Sequence, residues 1–175
     1  RQYSSNGRNT FLTLEVPSIQ RNFKYVNESG KTIVEGPGLF PWELFMFKFQ
    51  ENNGNLELVD ERLYAMRGSL IDEYTPLYKM PTPNVFGNLN NICWGNTFSG
   101  PNRNLSQIKS ISQAGRFVGL FHGAEFKGHL TPRFQNNERM EDVFREMKTM
   151  KTYDDKYLTP LNLTYGQALE SFFGE

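Results

Sequence analysis

The first 80 residues alternate between short hydrophobic runs and clusters of glycine, proline and asparagine. Period-two alternation or dense aromatic content is typical of β-strands, and such clusters are typical of tight turns. Turns are expected at Glu28-Ser29-Gly30 and at residues 52–55, and Gly36-Pro37-Gly38 is expected to break the chain. The pattern predicts strands at residues 11–16, 23–26, 32–34, 43–49 and 56–66, and an extended segment at 76–80. Hairpin-linked strands of this kind favour an antiparallel meander.

Beyond Gly100-Pro101 the hydrophobic residues follow helical spacing. A first helix, capped by Asn104 or Ser106, is predicted to carry Leu105, Ile108 and Ile111 and, after Gly115, Val118 and Phe121. Further helices are predicted at residues 138–151 and 164–173, the last with Thr164 as its cap. Strands followed by helices indicate an α+β fold, with an antiparallel sheet of about four strands packed by helices on one face.

Composition limits the classes of protein that the chain could represent. Its 175 residues are 38% hydrophobic, which suits a single domain over residues 1–175 with one core. The sequence begins at Arg1 rather than methionine, so we expect a trimmed or missing native N-terminus. A net charge of +0 argues against binding to nucleic acid or an anionic membrane, and neither a membrane-spanning run nor a signal peptide appears. One free cysteine suits a reducing cytoplasm.

Residues 81–95 are the strongest candidate for chemistry, because they contain Cys93, the only cysteine. Pro83 restricts the backbone just before Asn84, and residues 87–91 tolerate tight turns, so the loop can bring Asn84 near Cys93. A thiol nucleophile beside an amide donor is what acyl transfer through a thioester requires.

The same residue types have other interpretations. A lone cysteine is most often a small buried hydrophobic residue. His122 and His129 with one cysteine are too few for a zinc site unless carboxylates join, and the Gly36-Pro37-Gly38 loop lacks the lysine of a phosphate-binding loop. A Cys-His-Asn protease is possible by residue type, although papain-like local signatures are absent.

The segment resembles the active-site segment of ubiquitin-conjugating enzymes, which carry His-Pro-Asn, a short turn and Ile-Cys-Leu. Pro83-Asn84-Val85-Phe86 and Ile92-Cys93-Trp94 occupy the corresponding places. Thr82 stands where those enzymes have histidine, Trp94 where they have leucine, and the usual N-terminal helix is not evident. The chain is most similar to family D of the prokaryotic ubiquitin-conjugating-like proteins, which includes protein B of the PRTRC systems. That family lacks the first histidine and has another after the cysteine, where this chain has His122 and His129.

The resemblance implies a ubiquitin-conjugating-like fold and a transferase that needs no cofactor. Cys93 would be the nucleophile, Asn84 the oxyanion donor, and His129 or His122 the general base or a positioning group. Gly128 lets the ring of His129 turn towards a cleft, so we expect His129 to lie nearer to Cys93 than His122 does. The implied partners are a ubiquitin-like protein, an activating enzyme and a JAB-type peptidase. Two alternatives remain open: an inactive binding or scaffold module of the same fold, and a component of a plasmid or defence system without a transferase step.

Overall fold

The computed structural model describes residues 2–86, 90–95, 97–98, 100–128 and 138–174. Its strands are β1 (Gln2–Asn6), β2 (Asn9–Val16), β3 (Gln20–Val26), β4 (Thr32–Leu39), β5 (Trp42–Asn52), β6 (Asn55–Met66), β7 (Pro76–Lys79), β8 (Val85–Phe86), β9 (Asn91–Ile92), β10 (Gln107–Ile108), β11 (Glu125–Lys127) and β12 (Thr159–Thr164). Its helices are α1 (Gly115–Gly123), α2 (Met140–Met147) and α3 (Tyr165–Gly174), and 3₁₀ turns span Gly100–Ser106, Ile111–Gln113 and Asp155–Tyr157.

The predicted strands before residue 80 are confirmed, and most of them form one antiparallel sheet in the order β1-β2-β5-β6-β7-β12. The centre is the long β5–β6 hairpin, whose turn places Asn53 and Gly54 at φ angles of 51° and 75°. Two consecutive positive φ angles favour asparagine and glycine and match the twist of paired strands. The short strand β10 joins β6 as an additional antiparallel neighbour.

The central strand β5 is buried on both of its faces, so this sheet has a core on each side. Phe45, Phe47 and Phe49 pack towards α1 and α2, whereas Leu44 and Met46 pack towards α3. The prediction that the helices lie on one face is therefore wrong, and so is the prediction of about four strands, because this sheet has seven in the described residues. A nearly continuous apolar run, rather than strict alternation, is the sequence pattern of a strand covered on both sides.

The β3–β4 hairpin forms a second sheet together with β11, which pairs in parallel with β3. The prediction that Gly36-Pro37-Gly38 breaks the chain is wrong, because β4 continues through these residues. β4 is an edge strand, where a proline without an N–H costs no ladder hydrogen bond. The glycine at position 38 is required by packing, since a Cβ there would lie 2.5 Å from Phe23 Cε1.

The helical half of the prediction is confirmed in part. The predicted helix at Asn104 or Ser106 is wrong: these residues form a 3₁₀ turn, and Ile108 then pairs with Leu56 of β6. A helix does begin at Gly115, and the helices predicted at 138–151 and 164–173 are present as α2 and α3. Thr164 caps α3, because its Oγ1 accepts from the N–H of Gln167 at 3.4 Å.

The described α-helices are all short, and no α-helix lies before Gly115 in the described ranges. The longest, α3, has 10 residues. No helix there combines the length and the hydrophobicity that a membrane span requires.

Candidate active site

Cys93 directly follows the small antiparallel ribbon that β8 and β9 form, with Val85 opposite Ile92. The next pair along this ribbon is Asn84 and Cys93, and the N–H of Cys93 donates to the carbonyl oxygen of Asn84 at 2.7 Å. The turn before the ribbon is closed by a 3.3 Å hydrogen bond from the N–H of Val85 to the carbonyl oxygen of Thr82. The two residues singled out in the sequence therefore lie side by side.

The other edge of the β9 segment lies against β6 of the large sheet. The N–H of Leu63 donates to the carbonyl oxygen of Asn90 at 3.0 Å, and Nδ2 of Asn91 donates to the carbonyl oxygen of Glu61 at 3.3 Å. Asn90 adopts a φ of 56°, a left-handed conformation that asparagine tolerates better than most residues. The cysteine segment is thus fixed between the β8 ribbon and the main sheet.

The side chain of Asn84 is buried, with 4% of the residue exposed, and it bonds to the backbone of β11. Its Nδ2 donates to the carbonyl oxygen of Glu125 at 3.1 Å, and its Oδ1 accepts from the N–H of Lys127 at 3.2 Å. One carboxamide therefore satisfies two backbone groups of β11, as a neighbouring strand would. In this way Asn84 links the cysteine ribbon to the second sheet.

Cys93 is half-buried and lines an open cleft of about 360 Å³. Among the described residues, the cleft is also lined by Asn84, Trp94, Gly95, Thr97, Asn102, Ala124, Glu125 and Lys127. Glu125 carries an exposed ion pair with Lys24 at 2.5 Å. The hydrogen bond and charge of Lys24 lower the pKa of Glu125, so this wall of the cleft presents a paired carboxylate beside the side chain of Lys127.

The two departures from the common ubiquitin-conjugating pattern both lie in packed positions. Thr82 is 2% exposed, and its buried Oγ1 has no hydrogen-bond partner in the described part of the chain. Trp94 packs against Phe98 at a ring distance of 4.8 Å and against Phe117 of α1 at 6.4 Å. Trp94, the residue after the cysteine, is therefore anchored to the core under α1.

The structure describes only one of the two candidate histidines. His122 lies at the end of α1, where Nε2 is 2.8 Å from Oε2 of the buried Glu43 and 2.6 Å from Nη1 of Arg21. It is not among the residues that line the Cys93 cleft. His129, the preferred candidate, lies outside the described residues.

Glu61 is a group near the site that sequence reasoning missed. It stands opposite Phe47 in the β5–β6 register, and so on the face of the sheet that packs against α1. Burial raises the pKa of Glu61 to about 7, and the Trp94 side chain and the Ile92 N–H, which face its carboxylate, limit the rise. The only sequence signal was a charged residue two positions before Leu63 and four before Ala65, which are both apolar.

The fold and the site define an α+β protein whose only cysteine lines a surface cleft beside a buried asparagine. A family model described as Prokaryotic E2 family D matches residues 18–161, well over half of the chain, and the chain belongs to that family. The match confirms the resemblance carried by Pro83-Asn84 and Ile92-Cys93, and it extends from β3 into β12. No curated protein and no solved structure matches the chain.

Proposed function

We propose that the chain is a ubiquitin-like protein transferase that carries its cargo as a thioester on Cys93 and passes it to an acceptor. The observation that carries this proposal is the Cys93–Asn84 pair in one cleft of a chain that belongs to Prokaryotic E2 family D. The partners are a ubiquitin-like protein and its activating enzyme in the cytoplasm, with a JAB-type peptidase acting on the same modifier.

The loading step is a thioester exchange between two sulfur atoms. The Cys93 thiolate attacks the carbonyl carbon at the C-terminus of the ubiquitin-like protein, which the activating enzyme holds as a thioester. A new C–S bond forms to Cys93, and the bond to the activating enzyme breaks, which releases its thiolate. Because one thioester replaces another, the exchange requires no strong activation of Cys93. Its position in an open cleft supports access by two large partners.

The transfer step is the attack of an amine on the Cys93 thioester. A C–N bond forms, the C–S bond breaks with Cys93 leaving as a thiolate, and the amine loses a proton. Negative charge develops on the carbonyl oxygen, and we assign its stabilisation to Asn84. An amide nitrogen carries two hydrogens, and among the described residues Nδ2 donates one hydrogen bond, to Glu125. The second hydrogen is the one that would meet the oxyanion.

We assign the base for the amine proton to His129. Support comes from its place in the sequence, two residues after Lys127, which lines the cleft. His122 is the weaker candidate, because Glu43 and Arg21 occupy its Nε2.

The test is a non-reducing gel with the activating enzyme and ubiquitin-like protein encoded beside this gene, and ATP, followed by an amine chase. We expect a thiol-sensitive adduct on the wild type, a thiol-resistant oxyester at most on Cys93→Ser, and none on Cys93→Ala. Asn84→Ala should load and then discharge about 100- to 1000-fold more slowly. Since Cys93 is the only cysteine, no other thiol of the chain can accept the cargo.

The second candidate is a binding or scaffold module that keeps the fold without a transfer step. The observation that favours it is the engagement of both ends of the Asn84 carboxamide by β11, which gives this residue a structural role without any transfer step. A charged activating enzyme that never passes its cargo to Cys93 would establish this second function in place of the first.

A further inference from the structure

The segment that carries Cys93 meets β6 at Glu61, a carboxylate on the inner face of the main sheet. Leu63 and Glu61 hold Asn90 and Asn91 through hydrogen bonds of 3.0 and 3.3 Å, so the residues just before Cys93 run along this part of β6. In the β8–β9 ribbon the N–H of Cys93 points to Asn84. Since N–H groups alternate along a strand, the N–H of Ile92 points the other way, towards β6.

Two donors of this segment face the Glu61 carboxylate. One is the Ile92 N–H, and the other is the Trp94 side chain. The indole Nε1 of Trp94 is buried and has no hydrogen-bond partner within the described ranges. A buried donor without a partner is costly, and the carboxylate is the acceptor that it faces. Ile92 and Trp94 are the two neighbours of Cys93 in the chain.

We propose that Glu61 is a positioning residue for Cys93: its carboxylate anchors the residues on either side of the cysteine and thereby sets the direction of the thiol in the cleft. This inference rests on the proposed function for its catalytic meaning, but the anchoring itself does not depend on that function. Because the carboxylate faces a donor of each flanking residue, it can hold the segment at two points, which a single contact would not do.

The anchor is also sensitive to pH. Burial raises the pKa of Glu61 to about 7, so the carboxylate gains and loses its charge near neutrality. The charged groups that act on it are Asp60, which raises its pKa, and Arg62, which lowers it, both on β6. On β5 the opposite residue is Phe47, and residues 90–95 contribute no ionisable side chain other than the Cys93 thiol. Protonation weakens the acceptor for Ile92 and Trp94 and loosens the segment.

The first test follows the emission of Trp94 between pH 5.5 and 8.5 in a Trp42→Phe background, which leaves one tryptophan. We expect a transition centred near pH 7, and we expect Glu61→Gln in the same background to remove it, because the amide keeps an acceptor oxygen but does not titrate. A transition that persists unchanged in Glu61→Gln would overturn the proposal.

The second test measures the alkylation rate of Cys93, the sole thiol, by iodoacetamide at pH 8. We expect Glu61→Ala to change this rate by about fivefold or more, and the conservative Glu61→Gln to stay within about twofold of the wild type, because it preserves the acceptor. Wild-type rates in both variants would contradict the proposal. Loading by the activating enzyme is measured in parallel. If the wild type never loads, the proposed function fails while the emission and alkylation results still decide the role of Glu61.

Discussion

Asn84 and Cys93 form a hydrogen-bonded cross-strand pair, in which the N–H of the cysteine donates to the carbonyl oxygen of the asparagine at 2.7 Å. The side chain of the same asparagine bonds to the backbone of Glu125 and Lys127 in β11. Asn84 therefore bonds to Cys93 with its backbone and to the second sheet with its carboxamide. Any role of Asn84 in transfer is added to this structural role, and the two have separable consequences.

Asn84→Ala is expected to destabilise the protein as well as slow discharge. It removes two hydrogen bonds and leaves the carbonyl of Glu125 and the N–H of Lys127 without their partner, so the free energy of unfolding should fall by about 1–3 kcal/mol. Urea unfolding measures the loss. Asn102→Ala is the matched control, because Asn102 lines the same cleft but is exposed. Equal stability of both variants would contradict a stabilising role for the hydrogen bonds between Asn84 and β11.

Two ion pairs on β3 offer a matched comparison of burial. Arg21 Nη1 lies 2.5 Å from Glu43, whose side chain is 0% exposed, whereas Lys24 Nζ lies 2.5 Å from Glu125, whose side chain is 46% exposed. Arg21→Ala leaves a buried carboxylate beside His122 without its cation, and we expect a loss of about 3–5 kcal/mol in the free energy of unfolding. Lys24→Ala should produce little change, because solvent screens the exposed pair.

Thermal and urea unfolding of the two variants side by side decide this prediction. A loss for Lys24→Ala as large as that for Arg21→Ala would show that burial does not govern these pairs. Since Arg21 also approaches His122 Nε2 at 2.6 Å, the same experiment measures how firmly the end of α1 is tied to β3 and β5.

The sequence predicted those parts of the fold that local signals determine. Asn52-Asn53-Gly54-Asn55 marks the central hairpin because its backbone needs two positive φ angles, and Thr164 marks the start of α3 through its side chain. The failed predictions depend on distant partners. Ile108 fits a helical spacing equally well, but it pairs with Leu56, and nothing near it in the sequence reveals that pairing.

The candidate site was likewise predictable only where local sequence signals determine it. The Pro83-Asn84 and Ile92-Cys93 motifs lie close in sequence, and the structure places them side by side. Glu61 was not predictable, because its position depends on which strand β9 lies against. The burial of Thr82 and the contact of Trp94 with Phe117 likewise depend on packing between segments that are distant in sequence.

Two glycines provide a test of packing against helix propensity. A Cβ at Gly38 would lie 2.5 Å from Phe23 Cε1, inside a buried aromatic cluster, so Gly38→Ala should cost about 1–3 kcal/mol through overpacking. Gly119 lies on the exposed face of α1, and a Cβ added there would meet nothing within 4 Å, so Gly119→Ala should stabilise the protein by about 0.5–1 kcal/mol. Urea unfolding should therefore give opposite signs for the two substitutions, and a gain at Gly38 would contradict the packing described.

The raised pKa of Glu61 predicts the pH dependence of stability. Its pKa is about 7 in the folded protein and 4.5 for the ordinary side chain, so between these values the folded state binds more protons than the unfolded state. Stability from this group therefore rises as the pH falls from 7 towards 4.5, and it is lost as the pH rises through 7. Glu61→Gln removes the titration. The free energy of unfolding of Glu61→Gln, relative to that of the wild type, should therefore rise between pH 4.5 and pH 7 and level off above about pH 8. The total rise should be no more than about 3 kcal/mol.

Urea unfolding of the wild type and Glu61→Gln at intervals from pH 4.5 to 8.5 measures this difference directly. Because the two proteins differ in one group, the titrations of all other residues cancel when their free energies are subtracted, provided that the sites are independent. A difference that stays constant across this range would mean that Glu61 does not titrate in the folded protein near neutrality. A difference that falls with rising pH would mean that its ionised form is the stabilised one, and that the hydrogen bonds from the Cys93 segment outweigh burial.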